Sequence, residues 1–170
     1  MHIDTMRRID RWAGTPLTCL LTLVLALRDL LRRPSPRTPR RVLCVELSEM
    51  GSTILAEPAR RKLRDRLGCE LSFAIFRKNR PSLDILANIP ADNIFTRREH
   101  ALLPLLADTL RFLAWTRRQG IDTVIDLELF SRFTALLAGA SGAVNRVGFD
   151  NFHGEGLYRG GLLTHRVLYN

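Results

Sequence analysis

Lysine is almost missing from this 170-residue chain: of its 26 cationic residues only Lys62 and Lys78 are lysines. So strong an arginine bias follows genome composition as readily as selection for phosphate contacts. The formal net charge of +9, from 26 Lys and Arg against 17 Asp and Glu, therefore makes an anionic partner plausible without pointing to nucleic acid. Other nucleic-acid signatures are lacking too: there is no aromatic-basic interleaving, zinc-finger spacing or strong helix-turn-helix pattern. Cysteine is scarce. Cys19, Cys44 and Cys69 are odd in number and have neither CxxC spacing nor nearby ligand histidines. They read as small buried hydrophobes in a reducing compartment, and no metal site is expected. GxGxxG, a GKS or GKT loop, GxSxG and a fixed-period repeat are all absent, which leaves nucleotide binding after the first strand and serine hydrolysis unsupported. The longest apolar run falls short of the roughly 20 residues of a bilayer span. It meets arginines rather than a small-residue cleavage site, so export is not expected.

What is present is an apolar fraction of 46% with 25% charge, the profile of one folded domain rather than a disordered chain. Trp12 to Leu27 is uncharged and mostly apolar, with Arg7, Arg8 and Arg11 before it and Arg28, Arg32 and Arg33 after it. This favours a helix lying on an anionic cytoplasmic leaflet. Packing on the domain and a true span are the alternatives. Pro34, Pro36 and Pro39 then forbid helix and favour an extended linker. Residues 1–39 thus read as an apolar membrane-proximal helix with a Pro-rich linker, and 40–170 as the folded domain.

From Arg40 onward strands and helices alternate. Val42–Leu47 reads as a strand, 53–67 as a helix stopped by Gly68, and Glu70–Phe76 as a second strand. A short helix over 82–89 and a weak strand over 93–96 follow. Leucines at 102, 103, 105, 106, 110 and 113 mark a long helix to Arg118, ended by Gly120. Residues 121–127 read as a strand, 130–140 as a helix and 146–149 as a fifth strand, with a Gly-rich loop to Gly161. Such alternation implies right-handed crossovers and a Rossmann-like, doubly wound parallel sheet of the α/β class.

In that architecture ligands sit outside the carboxyl ends of the strands. Ser48, Glu49, Gly51 and Ser52 follow the first strand in a tight loop feeding a helix, where free backbone N–H groups favour an anion and Ser52 is a candidate N-cap. Arg77, Lys78 and Arg80 follow the second strand and can hold a phosphate or carboxylate, or form a solvated turn. Asp126 and Glu128, two apart, share one face of an extended strand. They can bind sugar hydroxyls or act as a base, or else cap a helix and pair with Arg132. The stretch 150–161, with His153, Glu155 and Arg159, is long and mixed in chemistry, as functional loops often are.

The order Arg41-Val42-Leu43-Cys44-Val45-Glu46-Leu47-Ser48-Glu49-Met50-Gly51-Ser52, with Pro58, then Ile121 to Leu127, then Arg146-Val147-Gly148-Phe149, resembles the amino-terminal domain of glycosyltransferase family 9, the lipopolysaccharide heptosyltransferases and their relatives. The resemblance covers about residues 40–170. It implies one lobe of a two-lobed GT-B enzyme, with the acceptor held by this lobe and the nucleotide-sugar donor by a second one that 170 residues do not accommodate. The isolated chain is accordingly expected to be inactive. The implied reaction is inverting and metal-independent, transferring heptose from an ADP-sugar to a lipopolysaccharide core at the cytoplasmic face of the bacterial inner membrane. Where the family usually has a basic aspartate after Met-Gly, this sequence has Ser52, which needs a helper; Glu49 is the nearest carboxylate. The strand lysine usual before the loop is replaced by Glu46. Arg77, Lys78 and Arg80 would face the anionic acceptor. A non-catalytic module that binds a membrane surface or an anionic ligand is the alternative.

Overall fold

The computed structural model describes residues 10–32, 38–98, 102–129, 131–150 and 159–168. A π-helical turn, Asp10–Gly14, leads into α1 (Thr15–Arg32). Pro16 is accommodated there because a first-turn N–H has no intrahelical partner to lose. Then follow β1 (Arg41–Val45), α2 (Met50–Leu55), α3 (Glu57–Leu67), β2 (Glu70–Phe76), α4 (Pro81–Leu86) and β3 (Ile94–Arg97). The chain continues through α5 (Leu102–Arg118), β4 (Thr123–Asp126), α6 (Arg132–Ala140), β5 (Asn145–Asp150) and β6 (His165–Leu168). The six strands among the described residues are all parallel, in the order β3-β2-β1-β4-β5-β6. This is a Rossmann-like α/β sheet whose order reverses between β1 and β4.

Strand alternation sends successive side chains to opposite faces, and the two cores follow from that. Leu43 and Val45 of β1 pack with Phe112 of α5 and Leu137 of α6, while Phe95 and Trp115 lie beside them with tilted rings whose centroids are 5.4 Å apart. Val42 and Cys44 face the other way, toward Leu63 of α3 and Leu83 of α4. Burial pushes the Cys44 thiol up to about 12, so it stays protonated and inert. Cys69 is also buried, but Cys19 is exposed on α1, against the expectation of three buried thiols.

Three further differences from the sequence reading have physical causes. The helix expected over 53–67 is two helices, because Pro58 has no N–H to give the Ile54 carbonyl and its ring crowds that oxygen. Gly68 does end α3, in the left-handed conformation that its missing Cβ allows, with its N–H on the Arg64 carbonyl at 2.8 Å. The sheet gains β6, a short edge strand of exposed residues that pairs with β5 among the described residues and carries little apolar signal.

The apolar run does form a helix, and one face of it packs on the domain. Leu21 and Leu25 lie over Gly139 of α6, where an added Cβ would come within 3.1 and 3.5 Å of their methyl groups. Leu25 joins Ala135 and Leu162 in a small core, and Thr22 Oγ1 accepts the Gly161 N–H at 3.1 Å. The opposite face of α1 is exposed and apolar.

Candidate functional site

The loops after β1 and β4 meet at the point where the strand order reverses. Glu128 lies two residues beyond β4, and its carboxylate reaches across to the β1 loop. Its Oε1 accepts the N–H groups of Leu47 and Ser48 at 2.9 and 2.7 Å, and its Oε2 accepts the Ser48 hydroxyl at 2.9 Å. On the other side, Asn79 Nδ2 donates to the Leu47 carbonyl at 2.8 Å and ties the turn after β2 to the same loop. The 46–52 segment is thereby fixed from both neighbouring strands.

Glu46 sits at the centre of this loop and is buried at 3% exposure. Its Oε1 accepts the Glu49 N–H at a long 3.4 Å. Burial, and then the neighbouring Glu128 carboxylate with which it shares a hydrogen bond, hold its pKa well above the usual carboxylate range. A hydrogen bond between two carboxyl groups needs one proton, and the buried member is the one that keeps it.

Glu49 is the residue preceding α2, in extended conformation, and its side chain makes no capping bond. Its Oε2 instead accepts the Ser52 hydroxyl at 3.0 Å. Ser52 is therefore not the N-cap: it is the third residue of α2, and its hydroxyl is held against a carboxylate. Above Gly51 there is open space, since an added Cβ would meet nothing within 4 Å. The anion expected at this loop fits the geometry poorly. Three carboxylates converge on it, two of its N–H groups are taken by Glu128, and α2 is only six residues long. The chemistry offered is that of hydrogen-bond acceptors, suited to hydroxyl groups.

Asp126 and Arg159 turn inward. Arg159 Nη1 lies 3.1 Å from Asp126 Oδ2, and its Nη2 donates to the Glu128 carbonyl. The second Asp126 oxygen accepts the Glu128 N–H at 3.1 Å, and Thr134 Oγ1 donates to Oδ2 at 3.0 Å. Burial pushes the Asp126 pKa up to about 7, against the pull of Arg159 and these donors. This pair holds the end of β4 and the segment after β5 together. It has no free oxygen to offer a sugar hydroxyl, and the helix cap foreseen for Asp126 or Glu128 is supplied by Ser131.

Of the cations after β2, Arg77 and Lys78 are exposed beside the Asn79 anchor, whereas Arg80 pairs with Asp84 at 3.1 Å along α4. His153 and Glu155 lie outside the described residues. Among the described residues no group of three His, Cys, Asp or Glu side chains is placed to hold a metal ion. Sequence reasoning passed over Glu46 and Asn79 as site residues. The signals were a lone carboxylate inside the run Val45-Glu46-Leu47, and an uncharged amide inside a basic turn.

No protein-family model matches the chain, and no curated protein is significantly similar to it. Solved structures are similar to it. One is a glycosyl transferase family 9 protein from Veillonella parvula, at 20% identity and a TM-score of 0.51, over 65% of this chain and 31% of that one. Another is MurG from Acinetobacter baumannii, at 15% identity and a TM-score of 0.48, over 65% of this chain and 35% of that one. The chain thus spans about a third of the length of these proteins, and the Veillonella likeness shows that the two share the Rossmann-like fold.

Proposed function

We propose that this chain is the acceptor-side half of a glycosyltransferase of the heptosyltransferase type. It would transfer a sugar from an ADP-heptose-like donor to a lipopolysaccharide-core or related glycan, at the cytoplasmic face of a bacterial inner membrane. The observation that carries this reading is the Ser52 hydroxyl held at 3.0 Å on the Glu49 carboxylate, at the carboxyl end of β1 and under open space. The fold shared with the Veillonella protein supports it.

In this mechanism Glu49 takes the proton of the acceptor hydroxyl, either directly or through Ser52, which hands its own proton to Glu49 as it receives the acceptor's. The acceptor oxygen bonds to the anomeric carbon as the bond from that carbon to the diphosphate oxygen breaks. The nucleoside diphosphate leaves with the electron pair, and the configuration inverts. Glu46, held protonated by its burial and by the neighbouring Glu128, spares the loop a third negative charge beside Glu49. Glu128 and Ser48 frame the loop, Gly51 leaves room for the acceptor ring, and Arg77 and Lys78 meet its anionic part. His153 and Glu155 complete the acceptor side, the donor is bound by a second lobe, and no metal takes part.

The test is transfer from ADP-heptose to a deacylated lipopolysaccharide core by the protein carrying its donor-binding lobe. Glu49→Gln is expected to lower kcat by about 10²–10⁴-fold and Ser52→Ala by roughly tenfold. A Glu49→Gln enzyme at full rate would remove the base, and brisk turnover by residues 1–170 alone would remove the two-lobe reading. The exposed apolar face of α1 favours a second reading, a non-catalytic membrane-surface module, which would bind vesicles and transfer nothing.

A further inference from the structure

Helix α1 is mostly apolar from Thr15 to Leu27, yet only one side of it is covered. Helical spacing separates the two faces. Gly14, Thr18, Leu21, Thr22 and Leu25 turn toward the domain, while Leu20, Leu23, Val24, Leu27, Leu30 and Leu31 are all more than half exposed. A helix hydrophobic all round is stable only where both faces leave water. The contacts of the inner face run from one end of the helix to the other. Gly14 is buried at the start, Leu21 and Leu25 lie on Gly139 in the middle, Thr22 holds the Gly161 N–H, and Asp29 approaches Arg146 to 4.0 Å near the end. A helix fastened along its length to α6 and the segment before β6 cannot run through a bilayer without drawing the sheet in after it.

We infer that α1 is an interfacial helix, lying in the plane of an anionic bilayer with its six exposed leucine and valine side chains in the acyl boundary and its other face clamped to the domain. Eighteen residues give it a length of about 27 Å. The charge pattern selects lipid over a second protein. Arginines stand at both ends of the stripe in the sequence, and the one carboxylate within the helix, Asp29, is bonded by Arg28 at 2.8 Å. Such a helix gains from apolar burial and from attraction to anionic headgroups together. The clamp also reaches the carboxylate site, because Gly161 and Leu162 follow closely on Arg159, which holds Asp126 and the Glu128 carbonyl. The membrane contact thus fixes the orientation of the site relative to the lipid. This rests on the membrane-surface part of the proposed function and not on its chemistry.

The test is flotation with vesicles of phosphatidylglycerol and phosphatidylethanolamine, compared with phosphatidylcholine alone. In a Cys19→Ser background, spin labels are placed at Leu20→Cys, Leu27→Cys and Leu30→Cys, and their depth is read by collision with nickel and oxygen. In-plane binding predicts salt-sensitive flotation on the anionic vesicles and three similar shallow depths, about 5–10 Å below the headgroups. Combining Leu23→Gln, Leu27→Gln and Leu30→Gln, all exposed sites, should lower vesicle partitioning at least tenfold while circular dichroism stays unchanged. No flotation of the wild type, depths that change steadily from Leu20 to Leu30, or labels immobilised in a dimer without lipid would each overturn the inference. Vesicle binding without sugar transfer would leave it standing and count only against the glycosyltransferase reading.

Discussion

Glu128 and Ser48 are joined twice: one carboxylate oxygen takes the Ser48 N–H at 2.7 Å and the other its hydroxyl at 2.9 Å. Because Glu128 follows β4 and Ser48 follows β1, this pair of hydrogen bonds closes the sheet at its reversal point, where side chains from two crossovers must be held in register. The same carboxylate also satisfies the Leu47 N–H, which lies beside a fully buried side chain.

Removing that acceptor leaves a part-buried N–H without a partner, which costs about 1–3 kcal/mol. Glu128→Ala is therefore expected to lower the unfolding free energy by about 2 kcal/mol in urea titrations. Glu128→Gln, which keeps one acceptor oxygen, should lose about half as much. Equal stability of all three proteins would mean that water replaces the carboxylate without cost.

Glu46 gives the fold a pH dependence of unusual sign for a carboxylate. Its pKa is raised in the folded state, chiefly by burial and then by Glu128, so the folded protein keeps a proton that the unfolded chain has released. Unfolding then becomes easier as pH rises, starting near the ordinary carboxylate value of about 4.3 and continuing to the raised one. Asp126, raised to about 7, acts in the same direction. The contribution of these two groups is complete at about pH 4 and declines toward pH 8, and Glu46→Gln should flatten the decline without abolishing it. Parallel curves for wild type and variant would show that Glu46 titrates normally.

Asp126 and Arg159 form an ion pair with side chains 0% and 3% exposed. Removing one partner strands the other charge in a low-dielectric site, a loss of about 3–5 kcal/mol. Asp126→Asn and Arg159→Met should each approach that cost, and the double variant should lose clearly less than the sum of the two. Strict additivity in the cycle would show that the two groups are not coupled.

The sheet was legible because its strands are short, continuous apolar runs between turn signals, and the order of elements followed from that alternation. The site was legible only in outline. Ser48, Glu49 and Ser52 could be placed at the end of β1 by counting. The apolar neighbours Val45 and Leu47 hint that Glu46 turns inward, but its partner Glu128 lies about 80 residues away and no local signal pairs the two, nor Glu49 with Ser52. Arg159 illustrates the same limit from the other side: a cation in a Gly-rich loop reads as a ligand group until the fold delivers Asp126 to it. Edge strand β6 carries no inward-facing apolar pattern, so only its pairing with β5 reveals it.

Arg60 of α3 tests whether a buried cation here stabilises or merely survives. Its guanidinium lies 5.1 Å from the centre of the Phe73 ring, and burial lowers its pKa. Among the described residues its Nε and Nη1 have no hydrogen-bond partner, and Nη2 reaches the Thr53 carbonyl at 3.4 Å. The cation–π contact contributes about 0.5–2 kcal/mol. Two unsatisfied donors cost about 1–3 kcal/mol each, so desolvation outweighs the attraction. Arg60→Met keeps an unbranched apolar stem over Phe73 while deleting the charge and its orphaned N–H groups, a change that is neutral to stabilising for buried ions elsewhere. Its urea midpoint should match or exceed that of the wild type. A loss greater than about 1 kcal/mol would show instead that Phe73 and Thr53 compensate the charge, and would make Arg60 a structural anchor of the α3 face.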